Sequence, residues 1–198
     1  VTRLIPIILA CAFSLLTGCA VKPAITNQYK LDHFSAKKLS SQQSRQSILI
    51  SQPEAVAGYQ TDAMLYVIKP YEVSSFAHNA WIGPPADMLF PLIMQSVQRS
   101  GYFYAVASTP NSDQTDYRLD TQLIELQQDF LKKPSQIHFV AKVVLTHVAD
   151  NHVVASRVIQ ESVPCPADTP YGGVIAANQA VKRFTEEMTA FIVNQIRH

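Results

Sequence analysis

Three runs between Tyr117 and Val163 constrain the fold more than any other part of the chain. Tyr117, Leu119, Thr121 and Leu123 alternate along an extended segment, the period-two pattern of a half-buried strand. After Leu123 the apolar phase moves to Ile124, Leu126, Gln128 and Phe130, which predicts a bulge or a twist there. Lys132-Lys133-Pro134-Ser135 reads as a turn. Ile137, Phe139, Ala141, Val143 and Leu145 then alternate against His138, Lys142 and Thr146. Ala149 to His152 is a second turn, and 153–163 returns as a third strand. Three consecutive strands with short turns predict an antiparallel meander.

The final segment can cover one face of such a sheet. After a loop over 164–173 with three prolines, Ala177, Ala180, Val181, Phe184, Met188, Phe191, Ile192 and Gln195 repeat at helical spacing. Lys182-Arg183 and Glu186-Glu187 fall on the solvated side, so an amphipathic helix is expected over about 174–196. An earlier helix should start near Pro85 or Ala86 and end at Ser100-Gly101. Met88, Leu89, Leu92, Ile93, Ser96 and Val97 form its buried stripe. Pro91 removes one backbone bond in the second turn, which predicts a kink or a late start.

Short strands are expected at 29–31, 47–52, 63–69 and 102–108, the third stopped by Pro70. Ser35 to Ser47 reads as an exposed loop, and 54–62 and 110–116 as turns. Tyr71 to Ala80 has no clear period. The element order predicts one α+β domain over 29–198.

The N-terminus carries a different signal. Arg3 precedes an apolar run from Leu4 to Leu16, thirteen residues long. As a helix this run spans about 20 Å, short of the roughly 30 Å hydrocarbon core of a bilayer. Leu16-Thr17-Gly18-Cys19 then fills all four places of a lipobox. That resemblance implies cleavage before Cys19 and a diacylglycerol thioether on it, with residues 1–18 as signal peptide and 19–28 as lipidated tether. An ordinary secretory signal that happens to contain a cysteine is the alternative. Ala20 in place of an aspartate fits the inner leaflet of the outer membrane, with the domain facing the periplasm.

Composition narrows the chemistry. Lys and Arg total 16 against 15 Asp and Glu, so charge gives no case for nucleic acid. Beyond Cys11 and Cys19 only Cys165 remains, and no internal disulfide can form in the mature chain. Cys165, between Pro164 and Pro166, reads as a bystander thiol. His147 and His152 flank one turn with Asp150, and the expectation is exposed turn residues, not metal ligands. Gly172-Gly173 falls far short of a phosphate loop. Asp116, Asp120 and Glu125 spread along one strand as solvent-facing acids. No catalytic residues, metal or cofactor beyond the lipid on Cys19 are expected. Tyr71, Phe76 and Trp81 have two readings. One is a core aromatic cluster beside the first helix; the other is an apolar patch that contacts a partner or lipid.

Several motifs together resemble the ABC-type transport auxiliary lipoprotein family, the outer-membrane lipoproteins that accompany MCE-type and paraquat-inducible lipid transport systems. The residues that carry the resemblance are Tyr29-Lys30-Leu31, Gly58-Tyr59-Gln60-Thr61 leading to Met64 and Tyr66, Pro70-Tyr71, and the run from Phe76 to Trp81. Pro84-Pro85-Ala86-Asp87-Met88-Leu89, Tyr117-Arg118-Leu119, Val153 to Arg157 and Ala176 to Ala180 continue it. Ile82 stands where the family tends to have alanine. The resemblance implies a mixed, mostly antiparallel sheet with two helices packed on it. It also implies a non-enzymatic subunit that docks a periplasmic lipid conduit at the outer membrane. Its partners would be an MCE-domain protein and ABC transporter subunits, and a homo-oligomer is compatible with it. An assembly or structural lipoprotein of the pilotin kind is the alternative.

Overall fold

The computed structural model describes Ile25, residues 27–108 and residues 114–197. Among these residues the chain forms nine strands and two helices. They are β1 (Asn27–Tyr29), β2 (Ser47–Ile50), β3 (Glu54–Ala55), β4 (Ala63–Lys69), β5 (Glu72–Trp81), α1 (Pro85–Arg99), β6 (Ala105–Ser108), β7 (Tyr117–Asp129), β8 (Gln136–His147), β9 (His152–Pro164) and α2 (Pro170–Arg197). The signal sequence, the lipobox and most of the tether lie outside the described residues.

β7 is the spine of a mixed sheet. One edge makes a long antiparallel ladder with β8, and β8 makes another with β9. The other edge of β7 takes three short parallel partners in turn: β2 beside 117–119, β3 beside 122–123 and β4 beside 127–129. β5 pairs antiparallel with β4, and β1 pairs parallel with β5. β6 lies parallel to β2 at the far edge. The fold is α+β, with the longest ladders antiparallel. The register irregularity between Leu123 and Glu125 stands where the apolar phase shifts in the sequence.

Both helices lie on one face. Ile137, Phe139, Ala141, Val143 and Leu145 of β8 are all buried beneath them, and the Phe139 and Phe184 rings sit 4.9 Å apart. Full burial of a side chain such as Phe184, Met188 or Ile192 contributes about 1.5–3 kcal/mol. Gln195 is exposed and Ile196 packs on the core instead. Ser96 of α1 donates to the Thr185 carbonyl (3.2 Å) and shares a hydrogen bond with the Thr189 hydroxyl (3.0 Å), which makes a polar seam between the helices.

Three local expectations are corrected. α1 starts at Pro85 and not late, with Pro91 exposed inside it, so water can reach the carbonyl that loses its partner. α2 begins at Pro170, earlier than its apolar period suggests. Thr169 caps it, its hydroxyl accepting the Gly172 N–H at 3.0 Å, and proline follows as the first helical residue. Residues 72–81 form a strand. Most of its length is a sheet edge with exposed side chains and a bulge against β4, so no alternation marks it.

Candidate functional site

The residues singled out as a contact patch separate in the structure. Trp81 is 3% exposed and belongs to the core. It lines a small internal gap of about 10 Å³ with Met64, Phe76, Leu126, Ile137 and Gly173, and its backbone N–H donates to the Asp62 carbonyl at 2.8 Å. Of its two readings Trp81 takes the core one, with β1 paired alongside it at Tyr29. Phe76 is half-buried in an aromatic cluster, 4.5 Å from Tyr66 and 6.3 Å from Phe130 by ring centroids. It also lines a groove of about 440 Å³ with Ile25, Ala63 and Ala80. Tyr71 stands apart at the β4–β5 turn, fully exposed, at φ +68°.

The chain that leads in from the tether is fastened to α2. The Asn178 side-chain carbonyl accepts the N–H of Asp32 (2.7 Å) and of His33 (3.2 Å). Its amide donates to the Lys30 carbonyl (3.2 Å) and the Val174 carbonyl (3.0 Å). Two turns along, the Thr185 hydroxyl accepts the Ser35 N–H at 2.9 Å. Lys37 pairs with Glu186 at 2.7 Å, and Arg197 donates to the Leu39 carbonyl at 3.2 Å. Sequence reasoning took 35–47 for an exposed loop, yet Ser35 is buried. Asn178 and Thr185 were the available signal: two polar residues inside the apolar stripe of a helix.

The possible chemical sites resolve into structural roles. Asp150 accepts from the His152 N–H (3.1 Å) and lies 2.9 Å from His147 Nδ1. The His147 contact first, and the His152 N–H next, hold its carboxyl below the usual range. Asp116 accepts the Ser47 hydroxyl (2.6 Å) and N–H (2.7 Å), and these bonds likewise lower it. Tyr59 donates to Gln127 at 2.9 Å, and burial with Glu125 nearby pushes its hydroxyl up to about 12. Burial also raises the Cys165 thiol, which leaves it protonated and unreactive. Among the described residues no three His, Cys, Asp or Glu side chains are grouped to hold a metal.

Gly172 and Gly173 serve packing. A Cβ on Gly173 would meet the Gln128 side chain, and one on Gly172 would meet the Ala167 backbone. Gln128 is 1% exposed and donates to Ser135 Oγ (2.9 Å) and the Thr169 carbonyl (3.2 Å). The first turn of α2 is thus seated directly on the sheet.

No described helix is long and apolar enough to cross a membrane. The chain's fold is similar to protein XCC0632 from Xanthomonas campestris, a solved structure described by the family model DUF330, at TM-score 0.78 and 20% identity. The likeness covers 86% of this chain and 96% of that one. A solved uncharacterized protein aligns at TM-score 0.68 and 13% identity, over 85% and 99% of the two chains. The hypothetical protein CT253 from Chlamydia trachomatis aligns at TM-score 0.52 and 6% identity, over 75% and 96%. No curated protein matches the chain. The model of one family, described as the ABC-type transport auxiliary lipoprotein component, matches residues 29–189. The match takes in every strand and helix from the last residue of β1 into α2, and the chain belongs to this family.

Proposed function

We propose that the chain is the non-enzymatic, lipid-anchored docking subunit of a trans-envelope ABC transport system of the MCE type. The family match over 29–189 carries this reading, because it spans most of the sheet-and-helix domain and names an ABC transport context. Cys19, preceded by Leu16, Thr17 and Gly18, takes the diacylglycerol and holds the chain at the inner leaflet of the outer membrane. The domain faces the periplasm and binds the MCE-domain conduit and through it the ABC transporter subunits. It needs no cofactor of its own and no nucleic acid. The ATPase is a separate subunit; the diglycine in the first turn of α2, the nearest thing here to a phosphate loop, is occupied by packing against Gln128 and Ala167. The clamp of Asn178 and Thr185 on residues 30–35 suits such a role, because it joins the tether rigidly to the domain.

Affinity capture from mildly crosslinked, solubilised envelopes tests the proposal. It should recover MCE or ABC subunits with the chain. Their absence, with the chain itself recovered intact, contradicts the docking role.

A further inference from the structure

The direction of β1 says which side of the domain faces the membrane, granted the anchor at Cys19 on which this inference rests. β1 runs parallel to β5, with Asn27 beside Asn79. Ile25, just before β1, lines a groove with Ser75, Phe76 and Ala77, so β1 is entered from the side of Asn79 that leads to the start of β5, which is the β4–β5 turn. Asn27 is eight residue steps from Cys19, which reach at most about 26–29 Å. Tyr71 is also eight residues from Asn79, along a strand shortened by a bulge, so at most about 26 Å away. The tether is long enough to bring the turn to the bilayer and too short to let the domain stand far off.

That end of the sheet carries apolar side chains that the fold leaves uncovered. Ile68 (59%), Tyr71 (106%), Val73 (51%) and Leu131 (49%) are all exposed. β4 and β7 run parallel with Val67 beside Asp129, and the Phe130 N–H donates to the Val67 carbonyl at 2.8 Å. The β7–β8 turn with Leu131 therefore lies at the same end as Tyr71. Lys132 is exposed among them, as are Lys69 and Lys133, which pair with Glu72 (3.3 Å) and Asp168 (2.8 Å). Tyr71 holds a left-handed conformation that glycine would adopt without strain, and its ring is given wholly to solvent. An exposed aromatic, branched apolar neighbours and flanking lysines match the chemistry of a phospholipid interface. There the ring sits at headgroup depth and ammonium groups meet lipid phosphates.

We propose that the β4–β5 turn, with Ile68, Tyr71, Val73 and Leu131, docks on the phospholipid surface to which Cys19 tethers the chain. The full acylated protein in phosphatidylethanolamine–phosphatidylglycerol vesicles with brominated acyl chains gives the test. Tyr71→Trp is compared with Tyr104→Trp, an exposed position beside β6 at the other end of β7. Wild-type protein, with the buried Trp81, sets the baseline. Flotation with the vesicles is measured first. The added emission at position 71 should fall by about half, as expected for a ring at the headgroup–acyl boundary, while that at 104 is unchanged. A chain that floats with equal, weak quenching at both positions overturns the contact, which is the result a protein partner at the turn would give. A chain that does not float overturns the anchor and the contact with it.

Discussion

Asn178 on α2 accepts the backbone N–H of Asp32 at 2.7 Å, across 146 positions of sequence. The same amide group also accepts from His33 and donates to Lys30. One side chain thus satisfies three backbone groups of a segment that has no sheet partner of its own. Asn178→Ala leaves those groups unpaired in a half-buried place. It should cost about 2–3 kcal/mol, which lowers Tm by roughly 4–10 °C for a domain of this size. Hydrogen exchange should speed up at Asp32 and His33 first.

Gly173 and Gln128 form a second close pairing. Gly173→Ala forces the Gln128 side chain aside and loosens its bonds to Ser135 and Thr169. The double variant with Gln128→Ala should cost less than the sum of the two single changes, with a coupling of roughly 0.5–3 kcal/mol by denaturant titration. Gly172→Ala meets backbone at Ala167, which cannot swing away, and should be the more damaging of the glycine changes.

Acid stability depends on three clasped carboxylates, Asp116, Asp150 and Asp168. The Ser47 hydroxyl and N–H lower Asp116, while Lys133 and the Ser135 N–H hold Asp168 at about 2. A carboxylate depressed in the fold contributes fully above its unfolded value of about 3.9 and loses that contribution as pH falls through the folded value. Unfolding free energy should therefore drop between about pH 4 and pH 2. Asp116→Asn should lower stability at pH 7 and flatten part of that decline. Glu161, raised chiefly by burial, acts in the opposite sense, since protonation relieves the cost of its charge.

Tyr71 and Trp81 should differ sharply in stability measurements. Trp81→Ala empties a core position and should cost about 3–5 kcal/mol. Tyr71→Gly removes left-handed strain of about 1–2 kcal/mol and replaces a side chain with no packing role. It should be neutral or stabilising by up to about 1 kcal/mol in thermal melts.

The central sheet was legible because its strands have one covered and one open face. Leu119, Leu123 and the odd residues of β8 announce that face, and the phase change after Leu123 announces the bulge. β5 was not legible: an edge strand with a bulge has no reason to alternate. The segment 30–39 was hidden because its order comes from hydrogen bonds to Asn178 and Thr185, which no local pattern records. In the contact patch, Tyr71, Phe76 and Trp81 look alike as aromatics in sequence. Their fates diverge through long-range pairing, β1 covering Trp81 while the β4–β5 turn projects Tyr71.

The docking role depends most on the anchor at Cys19. Intact-mass analysis and membrane fractionation of the mature protein, beside a Cys19→Ala variant, test it directly. The mature chain should begin at an acylated Cys19 and sit in the outer-membrane fraction, with the variant unprocessed. An unacylated chain in the soluble fraction would contradict the anchor.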